Sequence, residues 1–341
     1  MSGGVDSSTA AFLLQREGHE VVGVSLDLYD FSGVTENRAG TCCSLDDIYD
    51  ARRVCSHLGI PHYVFNFRDY FEESVIEVFV NEYARGRTPN PCVLCNDRVK
   101  FDYLLKRAKA LGFDYVATGH YARIEEKGGV FRLKRGVDRE KDQSYFLYSL
   151  NQDNLPYLLF PCGHYEKGEV RKIAAEAGLP VSDKEESQEI CFVTENSTRN
   201  FLIGRGLRES PGEVVTVDGR VVGRHAGAFG YTIGQRRGLG VALGKPHYVI
   251  HIDPVKNRIV IGPEEFLFSS GAVVEEYSFV EGAPPSDSFP CTVKIRYRGR
   301  EVPSTVQVRG ETLRVVFHEP VKSVTPGQYA VFYDGDTVIG G

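Results

Sequence analysis

The chain has 341 residues, 42% of them hydrophobic and 25% charged, and its 40 Lys plus Arg against 46 Asp plus Glu leave a net charge of −6. At roughly 150 residues per domain this length predicts two or three domains, and the composition excludes disorder and collagen-like repetition. No run approaches the roughly 18 apolar residues of a membrane span, and the opening residues lack the basic stretch and cleavage site of a secretion signal, so a cytoplasmic protein with no membrane partner is expected.

The chain opens on Ser2-Gly3-Gly4-Val5-Asp6-Ser7-Ser8 and runs directly into a helix whose Ala10, Ala11, Leu13 and Leu14 are predicted to face a sheet. Glycines let the backbone turn tightly, so amides and hydroxyls at a helix start can surround an anion, which the helix dipole also favours. The segment is not a Walker loop, which requires Gly-x-x-x-x-Gly-Lys-Ser/Thr. Residues 21–26, 62–66 and 115–118 read as strands. Between them Ile48, Ala51, Cys55 and Leu58 recur at helical spacing, as do Phe101, Leu104, Leu105, Ala108 and Leu111, with Gly18, Gly59 and Gly112 as stops. This alternation predicts an α/β domain with a mostly parallel sheet over residues 1–194.

After Cys191 the character changes. Asp218-Gly219 between the β-branched runs 214–217 and 221–222 reads as a hairpin turn, within a small, mostly β central domain at 195–263. Residues 292–297, 305–308, 313–317 and 329–333 alternate as half-buried strands, predicting a C-terminal β-barrel over 264–341.

The eight cysteines, at 42, 43, 55, 92, 95, 162, 191 and 291, are too sparse for a disulfide framework. In a reduced compartment the Cys-x-x-Cys pair Cys92 and Cys95 reads as metal, cluster or redox chemistry, or else as two buried apolar side chains. The adjacent Cys42 and Cys43 read as loop thiols. Against the negative total, Arg85 with Arg87, Arg236 with Arg237, and Lys294, Arg296, Arg298 and Arg300 form basic clusters; the last four share one parity, so a regular strand would project them from one face.

Residues 2–8 resemble the Ser-Gly-Gly-x-Asp-Ser-Ser/Thr signature of the PP-loop ATP pyrophosphatases, which cleave ATP between its α and β phosphates and adenylate a substrate oxygen. Further segments resemble the tRNA-specific 2-thiouridylases: Gly86-Arg87-Thr88-Pro89-Asn90-Pro91 running into Cys95-Asn96, Ala117-Thr118-Gly119-His120-Tyr121, and Lys141-Asp142-Gln143-Ser144-Tyr145-Phe146-Leu147. Ile190-Cys191-Phe192, residues 231–240, Arg296-Tyr297-Arg298 and Thr325-Pro326-Gly327-Gln328 follow in that family's order, so the resemblance covers essentially the whole chain.

The resemblance implies an adenine nucleotide alpha hydrolase-like first domain and ATP-dependent thiolation at carbon 2 of the wobble uridine of tRNA. A carbonyl oxygen leaves poorly, adenylation makes it leave better, and sulfur is strongly nucleophilic near neutral pH. By the family's pattern Cys95 is the nucleophile and Cys191 carries a persulfide. Ser2, Gly3, Gly4, Val5, Asp6, Ser7, Ser8, Leu26 and Gly119 would bind ATP. Asn90, Pro91 and Cys92 would lie by the target base, with His120, Lys141, Asp142, Gln143, Arg296, Tyr297 and Gln328 touching tRNA. Mg2+ is expected with ATP, with Asp142 one place for it or else a surface acid. A cysteine desulfurase or sulfur-relay protein is the expected donor.

Two departures matter. Many family members carry Asp where this chain has Cys92, and three thiolates at Cys92, Cys95 and Cys191 could hold three irons of a four-iron cluster, leaving the fourth iron for hydrosulfide. Cluster and persulfide relay therefore stand side by side on sequence. Met1 also directly precedes the loop, so the first strand of the parallel sheet is expected to be missing, through a late start or truncation. The rival readings are an amidating synthetase of the same superfamily and a non-catalytic nucleotide- or RNA-binding protein.

Overall fold

The computed structural model describes residues 1–30, 44–184, 190–193 and 197–341; Cys42 and Cys43 lie outside the described residues. Helix α1 (Val5–Arg16) starts from an extended Gly4, carries Asp6 in its first turn and Arg16 in its last, and buries Val5, Ala10, Ala11, Leu13 and Leu14. Those end charges complement the helix dipole. Strands β1 (Gly23–Asp27) and β2 (His62–Asn66) pair in parallel, connected through helix α2 (Leu45–Leu58), which begins with a Ser44–Asp47 capping box and stops at a left-handed Gly59.

A second parallel pair joins Val116–Ala117 to Leu158–Leu159, so the parallel strands of this domain lie in two separate hydrogen-bonded pairs. The main chain of Met1 runs beside β1: its amino group donates to the Val24 carbonyl, and its own carbonyl accepts from Ser25 Oγ at 2.8 Å.

The hairpin at Asp218-Gly219 forms between Gly212–Thr216 and Val221–His225. Arg258–Gly262 then pairs in parallel with Gly212–Thr216 and antiparallel with Tyr248–Asp253, completing a four-stranded central sheet. The third domain is an eight-stranded sheet that takes two of its strands from the first: the hairpin Ala122–Lys127/Val130–Arg135 joins its edge through Lys134 and Thr337. The two domains accordingly share a core, in which Leu133, Tyr145 and Leu147 pack with Val331, Tyr333 and Val338.

One basic cluster is corrected. The strand predicted through residue 297 ends at Lys294, and a turn closed by Gly299 N–H donating to the Arg296 carbonyl at 2.9 Å follows. The parity argument therefore stops at Lys294. Arg296 instead bends back to donate to the Ser323 carbonyl at 3.0 Å and to Thr325 Oγ1, while Arg300 pairs with Glu319 at 3.0 Å.

All three domains meet at Thr88. Its N–H donates to the Pro326 carbonyl at 2.9 Å, its carbonyl accepts from Gln328 Nε2 at 2.6 Å, and its hydroxyl bonds Thr232 Oγ1 at 3.2 Å. This knot sits just before Asn90, so it sets where the Cys-x-x-Cys helix begins. Among the described residues no helix is long and apolar enough to cross a membrane.

Candidate active site

The glycine-serine loop expected to bind ATP phosphates is built from its own hydroxyls. Ser2 N–H donates to Ser7 Oγ at 3.2 Å, and Ser7 Oγ and Ser8 Oγ donate to the Gly4 carbonyl at 3.2 and 2.9 Å. Gly3 has φ +67°, and a Cβ there would lie 2.2 Å from the Asp47 carbonyl oxygen, so the turn needs glycine for both conformation and space. The other side of the loop is held from far along the chain. Gly119 presses on the Asp6–Ser7 backbone so closely that a Cβ would come within 2.5 Å of the Asp6 carbonyl carbon. The Asp6 carboxylate accepts from Lys167 Nζ at 2.7 and 2.8 Å and from the Tyr121 hydroxyl at 2.7 Å, and the Asp6 carbonyl accepts from Cys162 Sγ at 3.2 Å.

Asn90 caps the Cys-x-x-Cys helix, its Oδ1 accepting from Cys92 N–H at 3.2 Å, with Pro91 in the first helical position. From Cys95 to Leu104 the helix widens to π-type turns, a winding frequent at functional sites. Cys92 is exposed and Cys95 half-buried. Cys95 and Cys191, with Leu26 of β1, pack against a single apolar cluster around Phe71, Phe79 and Phe192. The two thiols, 96 positions apart in sequence, thus border the same cluster. Among the described residues, which include Cys92, Cys95 and Cys191, no three His, Cys, Asp or Glu side chains gather as a group able to hold a metal ion.

The residues assigned to tRNA fall into two sets. Lys141 and Tyr297 are partly accessible, Tyr297 lying on Phe146 with ring centroids 4.3 Å apart. His120 and Asp142 are buried, while Gln143, Arg296 and Gln328 are half-buried and hydrogen-bonded within the protein. His120 is buried between Phe101 and Phe160 with Nδ1 2.7 Å from Thr118 Oγ1; burial, helped by the Lys100 ammonium, holds its imidazole well below the usual histidine range. Gln143 clasps Tyr121 through both its backbone N–H and its Oε1.

Asp142 is neither a surface acid nor fitted to hold Mg2+. Only 3% exposed, its carboxylate accepts from Gly136 N–H at 3.2 Å, Ser144 N–H at 3.1 Å and Ser144 Oγ at 2.9 Å, and pairs with Arg135 at 3.5 Å. It shapes the segment before Tyr145.

A cleft of about 790 Å³ opens between residues 78–98 and the C-terminal sheet, lined by Arg85, Arg87, Arg98, Glu275, Gln328 and Tyr329 among others. It lies against the face of the Cys-x-x-Cys helix that carries Val93, Leu94 and Asp97, and neither Cys92 nor Cys95 lines it.

Comparison with known proteins agrees with the three-domain architecture. Residues 1–195 match the tRNA methyl transferase HUP domain, 199–263 the tRNA methyl transferase PRC-barrel domain, and 269–341 the Aminomethyltransferase beta-barrel domain. The chain is 52% identical to the tRNA-specific 2-thiouridylase MnmA of Geobacter metallireducens, covering 100% of this chain and 94% of the relative. Identity is 50% to the same-named protein of Carboxydothermus hydrogenoformans, over 100% and 95%, and 46% to that of Clostridium perfringens, over 100% and 96%. The chain belongs to the tRNA-specific 2-thiouridylase family.

Four residues of the site, Lys167, Tyr121, Cys162 and Lys100, are not marked as functional by the sequence motifs. Lys100 Nζ reaches back along the widened helix to donate to the buried Asn96 Oδ1 at 2.9 Å. Tyr121, Cys162 and Lys167 acquire their partner Asp6 only through the fold, whereas Lys100 meets Asn96 one turn back along its own helix. The acidic first turn of α1 is the one hint, since a carboxylate in a phosphate loop calls for a cation.

Proposed function

We propose that this protein uses ATP to thiolate carbon 2 of the wobble uridine of tRNA by a two-cysteine relay. The observation that carries this reading is the packing of Cys95 and Cys191 against one apolar cluster with Leu26, on a domain that also bears the anion-binding loop at α1. The loop's amides and hydroxyls hold the pyrophosphate that departs as the uridine O2 takes the adenylyl group. ATP carries Mg2+ with it, and the metal supplies charge neutralisation on the phosphates.

A cysteine desulfurase or relay protein loads Cys191 with a terminal sulfur. That sulfur attacks C2, the C2–O bond to AMP breaks, and AMP leaves. The Cys95 thiolate then attacks the Cys191 sulfur, leaving the sulfur on C2 and forming a Cys95–Cys191 disulfide that an external thiol reopens. The apolar surroundings keep water from competing for the activated base. The relay is favoured over an iron–sulfur cluster because among the described residues no three His, Cys, Asp or Glu side chains gather as a metal-holding group, and Cys92 is exposed where Cys95 and Cys191 are half-buried.

The test compares three variants supplied with ATP, tRNA and a desulfurase. Cys95→Ser and Cys191→Ser should each lose thiouridine formation, by the order of 1,000-fold or more expected for a covalent participant, while still releasing pyrophosphate. Cys92→Ala should thiolate near the wild-type rate. Loss of thiolation in Cys92→Ala together with loss of bound iron would overturn the relay in favour of the cluster.

A further inference from the structure

The phosphate loop contains a fixed negative charge where the proposed reaction needs to accept a polyanion, and the fold answers it with one lysine. Asp6 sits in the first turn of α1. Its two carboxylate oxygens lie 2.7 and 2.8 Å from Lys167 Nζ, and the first also accepts from Tyr121. Lys167 is only 8% exposed, and it opens the helix Lys167–Glu176, whose start is fixed by a capping box between Glu166 and Glu169. Its own N–H donates to Asp138 Oδ2 at 2.9 Å, and the preceding Cys162 bonds the Asp6 carbonyl. Residues 162–167 thus hold Asp6 at both its carbonyl and its carboxylate, although Asp6 and Lys167 are 161 positions apart.

We propose that Lys167 is the positioning residue of the phosphate loop: its ammonium cancels the Asp6 charge and pins the carboxylate, so that the loop presents amides and hydroxyls to the β and γ phosphates of ATP. The inference rests on the ATP-dependent reading above. Removing the ammonium leaves a carboxylate of the loop without its counter-charge, and that charge repels an incoming triphosphate. Removing both charges restores a neutral loop. The pair therefore predicts non-additivity, which loss of generic stability does not.

The experiment measures equilibrium ATP and inorganic pyrophosphate binding to the full chain, with tRNA binding and thermal melting in parallel. Lys167→Met should weaken both ATP and pyrophosphate at least about thirtyfold, the lower end of the loss for breaking a buried hydrogen-bonded charge pair, and leave tRNA affinity unchanged. Asp6→Asn combined with Lys167→Met should recover most of that loss, and Lys167→Arg, which keeps the charge, should stay closer to wild type than Lys167→Met. If Lys167→Met does not fold, the double variant and Lys167→Arg carry the comparison: a double variant that folds yet binds ATP about thirtyfold more weakly than Asp6→Asn alone would overturn the pairing, because the lysine would then matter without the carboxylate. Unchanged ATP and pyrophosphate affinity in a folded Lys167→Met, or an additive double variant, would also overturn it. Wild-type protein that binds no ATP would instead refute the proposed function and is read separately.

Discussion

Gly119→Ala tests whether the contact between Gly119 and the phosphate loop governs activity. The added Cβ would lie 2.5 Å from the Asp6 carbonyl carbon, 2.7 Å from the Ser7 nitrogen and 2.8 Å from the Asp6 oxygen. Carbon atoms settle at about 3.5–4.0 Å, so something must move by about 1 Å. All three neighbours are backbone, and the Asp6 end is pinned by Cys162 and Lys167, so the displacement passes into the loop. A misplacement of about 1 Å costs on the order of 100-fold in rate, equivalent to about 2.7 kcal/mol of transition-state stabilisation.

Overpacking of this kind removes about 1–3 kcal/mol of stability, less than the roughly 5–15 kcal/mol of a folded domain, so the variant should fold. The measurements are kcat/KM for ATP in tRNA-dependent pyrophosphate release, and urea unfolding. Gly168→Ala is the control: Gly168 is helical, with nothing within 4 Å of the place an added methyl would occupy, and should gain roughly 0.5–1 kcal/mol with unchanged kinetics. A folded Gly119→Ala protein with wild-type kcat/KM would refute the claim that loop position depends on this contact.

Two predictions concern buried charge. The unfolded chain takes up a proton on His120 near the ordinary value of 6.5 that the folded chain refuses. Stability should therefore fall as pH drops below about 6.5, by about 1.4 kcal/mol per pH unit, until the depressed folded value is reached. Burial lowers His62, His164 and His225 in the same direction. Urea unfolding at pH 7.5 and 5.5 should show a smaller drop for His120→Gln than for wild type, and an identical drop would remove His120 from the account. Arg135→Met removes the cation that faces both the buried Asp142 and Glu301 and should cost about 3–5 kcal/mol, recovered in part by adding Asp142→Asn; a loss below about 1 kcal/mol would show the pair to be dispensable.

The chain's local patterns determined a good deal. The glycine-serine segment before an apolar helical stripe predicts an anion loop because backbone amides and the helix dipole act within one turn. Ile48, Ala51 and Cys55 place α2, and Gly59 stops it; Asp218-Gly219 makes its hairpin. These features need no partner distant in sequence.

Only tertiary structure decided the rest. The hairpin of residues 122–135 joins the C-terminal sheet because its edge finds Thr337, and nothing in its alternation names that edge. Arg296 has the same sequence parity as Lys294, yet a turn after Lys294 redirects it into Ser323 and Thr325. His120 and Asp142 read as ligand-facing residues and prove to be buried, because their surroundings come from residues 101, 135 and 160. The loop acid Asp6 is legible, but its cation lies 161 positions away, and Cys191 reaches the apolar cluster of Cys95 across 96 positions. Spacing along a chain reports neighbours within a helix or strand, whereas burial, counter-charges and shared cores are set by which surfaces the folded chain brings together.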